Sequence, residues 1–288
     1  MRLRCFVSVL AFVTAVTLMV PAHTAGQAAE TRWDPPRTPD GQPDITGYWS
    51  DHTEVSAQNV EGPREAEQEA VYGGPPTSEA RAVVDPPDGK LPYQPWAAEK
   101  AKARYAEWEK PSSPHTVDPV ARCFMMGVPR MLVQGGRPPS SSMRILQTPT
   151  AIVVLHEYGH HYRVIHLDDR PPLGDTLKLW MGSSRGRWEG NTLVVEVTNH
   201  NDKTRFDQVG NFHSDAMRIT ERWTFVDRDR IEYRATIHDP QVYTGPWTYG
   251  LTLGRNPPLE QWEHAACEGN TVVHVIFGLP FEHERDNR

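Results

Sequence analysis

The stretch MRITERWTFVDRDRIEYRATIHD, residues 217–239, decides the fold. Apolar side chains alternate with polar ones on both sides of its centre, and alternate residues of a strand lie on the same face of a sheet. The segment VDRDR at 226–230 suits a tight turn between the two runs. The sequence therefore predicts a β-hairpin with one buried face.

Short apolar runs separated by turns extend this pattern over residues 131–288. Successive hairpins of this kind form an antiparallel meander, and about eight such strands close into an up-and-down barrel. We therefore predict an all-β fold, an antiparallel up-and-down barrel. The predicted strands cover residues 44–50, 131–135, 143–147, 150–158, 161–167, 192–198, 217–226, 231–238, 246–254 and 259–267.

The first 28 residues have the pattern of a secretory signal peptide. Arg2 and Arg4 precede an apolar run over 6–20, and small residues offer cleavage sites close to Ala22 and to Ala28. The sequence therefore predicts an exported protein, periplasmic or extracellular. Cleavage would remove two basic residues and no acidic one, so the net charge would change from −7 to −9.

This acidic balance lacks the positive surface that nucleic-acid binding requires. No second apolar segment approaches the ~18 residues of a membrane-spanning helix, so we expect no membrane span in the mature protein. The oligomeric state cannot be read from the sequence.

Residues 29–130 are rich in proline, glycine and charge, as in DPPRTPDGQPD at 34–44. Such composition is typical of loops and polyproline segments. One strand at 44–50, which contains the Gly-x-Trp motif of TGYW, and one helix at 95–110 interrupt it. We predict that this segment wraps around the barrel and forms a single domain with it.

Two cysteines follow the predicted signal peptide, Cys123 and Cys267. In an exported chain such a pair favours a disulfide. Two unpaired buried thiols are the alternative.

HEYGH at 156–160 matches the H-E-x-x-H signature of zinc hydrolases, which requires a helix to bring both imidazoles to one face. The flanks AIVVL and YRVIHL are β-branched and aromatic, and Gly159 interrupts them. We interpret the motif as a hairpin turn at Gly159-His160, and expect neither a metal nor another cofactor. A metal site assembled from several strands is a weaker alternative, with candidates His156, His160, His161, His166, His213, His238 and His264.

Strand alternation places several charged side chains inside the barrel. Glu221 shares a face with apolar residues of its strand, Asp239 continues the inward face of the next strand, and Arg163 shares a face with Ile165. A two-residue turn would set Arg163 opposite His156, and a three-residue turn would set it opposite Glu157. The candidate catalytic residues are Glu221, Asp239, Arg163 and Glu157, as acid, base or orienting cation.

Aromatic residues on the strands could line a ligand cavity or fill an ordinary core. The candidate ligand-binding residues are His213, Trp188, Trp223, Tyr233 and Trp247. His213, Ser214 and Asp239 could also be drawn as a catalytic triad, but no nucleophile-elbow pattern accompanies them.

Six segments together resemble a family of exported bacterial proteins without an established activity. They are DPVARCFMMGVPR, EYGHHYRVI, GRWEGNTLVVEVTN, HSDAMRITERW, DPQVYTGPW and EHAACEGN. The resemblance implies export and a barrel similar to lipocalin-like proteins, which mostly bind hydrophobic small molecules and include a minority of isomerases, hydratases and cyclases. It implies no catalytic residue.

The sequence thus predicts a barrel that binds a small apolar or aromatic molecule. Such a protein could be a metal-independent acid–base isomerase, hydratase or lyase. The alternatives are a non-catalytic carrier and, less favoured, a zinc hydrolase.

Overall fold

A computed structural model describes residues 33–53, 58–62, 81–109, 111–113, 115–133 and 142–258. The predicted signal peptide, the predicted strand at 259–267 and Cys267 lie outside the described residues. The export signal and the Cys123–Cys267 disulfide therefore stay predictions.

Nine of the ten described strands close into a β-barrel, because β1 pairs with both β3 and β10. The tenth, β2, pairs with the first residues of β10, where β1 does not reach. This confirms the predicted all-β barrel. The strands are β1 (Gly47–Asp51), β2 (Val83–Asp85), β3 (Met143–Thr148), β4 (Ala151–His156), β5 (Tyr162–His166), β6 (Ser183–Glu189), β7 (Thr192–Thr198), β8 (Arg218–Asp227), β9 (Arg230–His238) and β10 (Trp247–Asn256).

One seam of the barrel differs from the predicted up-and-down pattern. β5 and β6 run parallel and share two residue pairs, Ile165 with Ser184 and His166 with Arg185. All other described strand pairs are antiparallel. Parallel neighbours need a crossover rather than a hairpin, and the connection at 167–182 provides it. This parallel seam is the shortest pairing in the closed barrel.

Strand β6 was not predicted from the sequence, because its SSRGRWE run has no apolar alternation. Gly186, at the centre of β6, lies so close to side chains of the β5 region that a Cβ there would come within 2.8 Å of Ile165 and 2.9 Å of Leu167. Its pairing with β7 holds this polar sequence in the sheet.

The predicted strand at 131–135 is wrong where the structure describes it. Residues Arg130–Leu132 form a turn of 3₁₀-helix, and Met131, Leu132 and Val133 are buried. Turn-type hydrogen bonds from Met131 and Val133 to Gly127 and Arg130 hold this conformation. An apolar run predicts burial correctly in either conformation, but it does not distinguish a strand from a buried turn.

The H-E-x-x-H segment forms a hairpin turn that contains a short 3₁₀ element, Tyr158–His160, rather than the α-helix that the zinc signature requires. Glu157 to His160 make the turn, with Gly159 at φ 71°, and the amide of His156 donates to the carbonyl of His161. Arg163 therefore pairs with Val154, and neither predicted register is correct. The observed turn is two residues longer than the predicted two-residue turn. A register shift of two residues leaves each side chain on the same face of the sheet.

One end of the barrel, here called the capped end, lies where β4, β7 and β9 finish, and it is covered by loops and by segments between residues 58 and 133. The buried carboxylate of Asp207 accepts hydrogen bonds from the amides of Val60, Gly210 and Asn211, and so joins residues 58–62 to the loop at 199–217. Apolar residues of 33–133 also belong to the barrel core, among them Ile45, Val60, Ala82, Leu91, Ala97 and Val120.

The predicted helix at 95–110 is confirmed as α1 (Pro95–Glu109). Proline suits the first turn of a helix, where its missing N–H has no intrahelical partner. The amide of Gln94, just before α1, donates to Val242, which ties the start of the helix to the capped end. Within the described part of the chain, no helix is long and apolar enough to cross a membrane.

Trp49 of the Gly-x-Trp motif lies at the seam where β1 meets β10. Its ring is fully buried, its indole N–H donates to Ile45 at 3.0 Å, and the Arg255 guanidinium lies 4.1 Å from its ring centroid. Arg255 in turn donates to the carbonyl of Thr46 at 2.8 Å. Trp49 and Arg255 therefore hold together the two strands that close the barrel.

We expect Trp49→Ala to lower the free energy of unfolding by about 3–5 kcal/mol, because it empties a packed site and removes the surface that Arg255 covers. Urea unfolding followed by circular dichroism measures the change. Tyr162→Ala, at a 64% exposed site, is the control and should cost less than about 1 kcal/mol. Equal losses in the two variants would contradict this role of Trp49.

Candidate functional site

Arg163 and Glu221, two predicted inward residues, meet inside the barrel. Both Nη atoms of Arg163 donate to the carboxylate of Glu221, one of them at 2.9 Å to Oε1, and its Nε donates to Ser184 Oγ at 2.9 Å. The Tyr233 hydroxyl donates to Glu221 Oε1 at 2.6 Å. All four side chains are at most 3% exposed. We call Arg163, Ser184, Glu221 and Tyr233 the arginine cluster.

Charge pairing explains how these groups are tolerated in a buried site. Burial by itself would lower the pKa of Arg163, but the carboxylate of Glu221 raises it above its ordinary value. Burial and the same carboxylate raise the pKa of Tyr233. Arg163 is therefore a cation and Tyr233 a neutral donor, and the hydrogen bonds they make occupy both oxygens of Glu221.

Two buried histidines interact electrostatically with Arg163 of the arginine cluster. His156, 6% exposed, occupies the inward position at the end of β4, and His200, fully buried, follows β7. Burial lowers the pKa of His156 to about 3, with further contributions from His161 and Arg163. Burial, then His213 and Arg163, lower the pKa of His200. Both imidazoles are therefore neutral at neutral pH.

These histidines carry hydrogen-bonding atoms that the described residues leave unpaired. Neither ring nitrogen of His200 has a partner there, nor does Nε2 of His156. The predicted register left open whether His156 or Glu157 faces inward, and the structure selects His156. Sequence reasoning missed His200, because it follows the strand in a loop where alternation gives no direction.

Glu157 and Asp239 do not join the arginine cluster. Glu157 begins the turn after β4, and its amide donates to the carbonyl of Ser142. Asp239 accepts hydrogen bonds from the amide of Ser214 at 2.6 Å and from its hydroxyl at 2.8 Å. It follows the last residue of β9, where the chain turns away to cover the capped end.

His213, Ser214 and Asp239 do not form a catalytic triad. His213 Nδ1 donates to the backbone carbonyl of Ser214 at 2.9 Å, and its Nε2 lies 2.7 Å from Thr204 Oγ1. A carbonyl oxygen only accepts, so Nδ1 carries the proton and the neutral ring accepts from Thr204. Burial lowers the pKa of His213. The hydroxyl of Ser214 is engaged by Asp239 rather than by the imidazole.

The predicted aromatic residues lie in three separate places. Trp223 packs edge-on against Tyr233 at 5.0 Å, beside the arginine cluster. Trp247 packs against Phe206 at 4.9 Å. Trp188 lies near the opposite end, where its indole N–H donates to Gln42 at 3.2 Å. Of this set, Tyr233 belongs to the arginine cluster and Trp223 packs against it.

Comparison of the chain with protein-family models, with curated proteins and with solved structures found no match. The resemblance to exported bacterial proteins stays a prediction. Among the described residues, no group of three or more His, Cys, Asp or Glu side chains is placed to hold a metal ion.

We expect Arg163→Met and Glu221→Leu each to cost about 3–5 kcal/mol of unfolding free energy, because each leaves one buried charge unpaired. The double variant should cost much less than the sum of the two single changes. Urea unfolding of all four proteins measures this coupling. The exposed pair Arg222–Glu189, 3.2 Å apart, provides the control, with a coupling below about 1 kcal/mol. Additive losses at Arg163 and Glu221 would refute the pairing.

Acid should destabilise the protein partly through His156. Its folded pKa, about 3, lies below the ordinary value of 6.5, so the unfolded chain binds a proton between these values while the folded chain does not. This part of the stability is present above about pH 6.5 and is lost as the pH falls toward 3. His156→Gln removes the titrating group, so its stability should fall less steeply.

Urea unfolding at pH 7, 6, 5 and 4 measures the two slopes. His238→Gln, at an exposed position on β9, is the control and should follow the wild type. Burial also raises the pKa of Asp207 to about 6, and this opposite effect is common to all three proteins. Identical slopes for the wild type and His156→Gln would contradict the prediction.

Proposed function

We propose that this protein is a small-molecule binding protein whose ligand lies inside the barrel, against the arginine cluster and the two histidines beside it. One observation carries the proposal. His200 is fully buried, and neither of its ring nitrogens has a hydrogen-bond partner among the described residues. Buried polar atoms in native proteins are rarely left unpaired, so a ligand that bonds to His200 accounts for its position.

The electrostatics of this region favour an uncharged ligand group. Arg163 and Glu221 neutralise each other, and burial keeps His156 and His200 neutral. A charged group would lose its hydration without gaining a counter-ion. A hydroxyl or carbonyl can instead hydrogen-bond to a neutral imidazole, which offers one donor and one acceptor. The ligand is therefore apolar or aromatic with at least one neutral polar atom.

The hydrogen-bond partners of Glu221 and Asp239 favour a binding protein over an acid–base catalyst. Glu221 accepts from Arg163 and Tyr233, and Asp239 accepts from Ser214. A general base needs lone pairs directed at its substrate, whereas here each carboxylate already accepts three hydrogen bonds from protein groups, out of about four that it can accept. These carboxylates organise the barrel and its capped end, which agrees with a carrier. Export to the periplasm or the medium is the setting that we propose for it.

The test uses 2-naphthol and naphthalene, which share a ring system and differ by one hydroxyl. Isothermal titration calorimetry on the purified protein should show 2-naphthol binding about 2- to 10-fold more tightly than naphthalene, as expected for one neutral hydrogen bond. His200→Phe should abolish this difference while retaining the ring packing.

His238→Phe places the same change on the outer face of β9 and should leave both affinities unaltered. Circular dichroism confirms that each variant is folded. Absence of saturable binding of both probes, together with a solvent extract of the protein that holds no small molecule, would refute the proposal. So would a hydroxyl preference that survives His200→Phe.

A further inference from the structure

A cavity of about 320 Å³ lies outside the barrel, over the capped end. This is at the lower end of the volumes that enclose small-molecule ligands, about 300–1,000 Å³. Its walls come from α1, from the segment at 119–124, from Trp180 and from the loop at 202–205. We call it the cationic pocket, and it is lined by Arg104, Pro119, Arg122, Phe124, Trp180, Asp202, Lys203, Thr204 and Arg205.

The lining carries four cations and one carboxylate, although the whole chain has a net charge of −7. The single lining carboxylate, Asp202, is exposed. Asp118 lies close to the pocket, but its carboxylate already accepts hydrogen bonds from Nη1 and Nη2 of Arg130, at 2.9 and 2.5 Å. The pocket is therefore strongly positive in an otherwise acidic protein.

The guanidinium groups of the pocket include N–H donors that have no hydrogen-bond acceptor among the described residues. Arg104 Nη1 and Arg122 Nε are buried atoms without a partner among the described residues. Within the described part of the chain, Arg205 hydrogen-bonds only to the carbonyl of Thr116, at 3.4 and 3.5 Å. Burial lowers the pKa of Arg205 to about 10; Asp118 opposes this shift, and Arg104 adds to it. Arg205 is still a cation at neutral pH, and a bound anion would reduce the electrostatic repulsion between Arg205 and the neighbouring arginines.

An aromatic pair forms one wall of the pocket. The rings of Phe124 and Trp180 are stacked with centroids 5.1 Å apart and planes 8° from parallel. The Arg122 guanidinium lies 5.2 Å from the Phe124 centroid. Phe124 is 42% exposed, although a phenylalanine gains by burial. A flat apolar ligand could cover this face.

We propose that the cationic pocket binds a small aromatic acid, with its ring against Phe124 and Trp180 and its carboxylate against Arg104, Arg122 and Arg205. Guanidinium groups match a carboxylate with two parallel hydrogen bonds, and such charge-assisted bonds are stronger than neutral ones. This site is separate from the interior of the barrel, where charges are balanced and the imidazoles are neutral. The two sites therefore select ligands of opposite character.

The test compares 1-naphthoate with 1-naphthamide, which has the same ring and no charge. Calorimetry on the full chain should show naphthoate binding at least about tenfold more tightly, the effect of one charge-assisted hydrogen bond. Naphthoate affinity should fall as salt is raised from about 50 to 500 mM. Inorganic phosphate should bind more weakly than naphthoate, because it has charge but no ring.

Arg205→Gln should weaken naphthoate binding about tenfold or more without lowering the melting temperature, because the cation is crowded and poorly paired. A purely structural arginine would show the reverse pattern. Arg122→Gln is a second variant with the same expected loss, in case the first does not fold. Arg230→Gln, an exposed arginine at the β8–β9 turn, is the control and should bind like the wild type.

Three results would overturn the proposal. They are equal binding of naphthoate and naphthamide, phosphate binding as tight as naphthoate binding, and unchanged affinity in a folded Arg205→Gln or Arg122→Gln variant. His200→Phe should leave naphthoate binding intact, and 2-naphthol should not displace naphthoate. The two proposals can therefore fail independently of each other.

Discussion

Arg163 bridges the shortest strand pairing of the described barrel, that of β5 with β6. β5 and β6 share only two residue pairs, and Arg163 on β5 donates to Ser184 on β6 across that seam. Its guanidinium also reaches over the interior to Glu221 on β8. A closed barrel tolerates no open edge, because an unpaired strand would expose its backbone groups. The buried ion pair thus supplies connections that a two-residue ladder does not.

The same ion pair determines the chemical character of the interior. Arg163 and Glu221 cancel each other's charge, and the polar groups around them are hydroxyls and imidazoles that burial keeps neutral. Such an interior suits a largely apolar molecule. The cationic pocket over the capped end has the opposite character, since its four lining cations face a single lining carboxylate, Asp202. Two environments of different polarity therefore lie in one chain.

Sequence patterning predicted the interior better than it predicted the capped end. Strand alternation placed Glu221 and Arg163 inward, and both are there because each lies within a regular strand. Asp239 was assigned to the same cluster, but it lies just beyond β9, where alternation no longer fixes direction. The register at Arg163 was two residues off, because Glu157 to His160 form a longer turn than Gly159-His160 alone. An even shift preserved the prediction of its face.

The sequence by itself determined the class of the fold, the strands with apolar alternation, the single described helix and the inward direction of the central charges. These features depend on local periodicity, which a chain carries in its order of residues. Only the tertiary structure decided the parallel seam, the neighbours of His200 and the convergence of Arg104, Arg122, Trp180 and Arg205. Those contacts join residues far apart in the chain, and their partners are chosen by barrel closure and loop packing rather than by any local pattern.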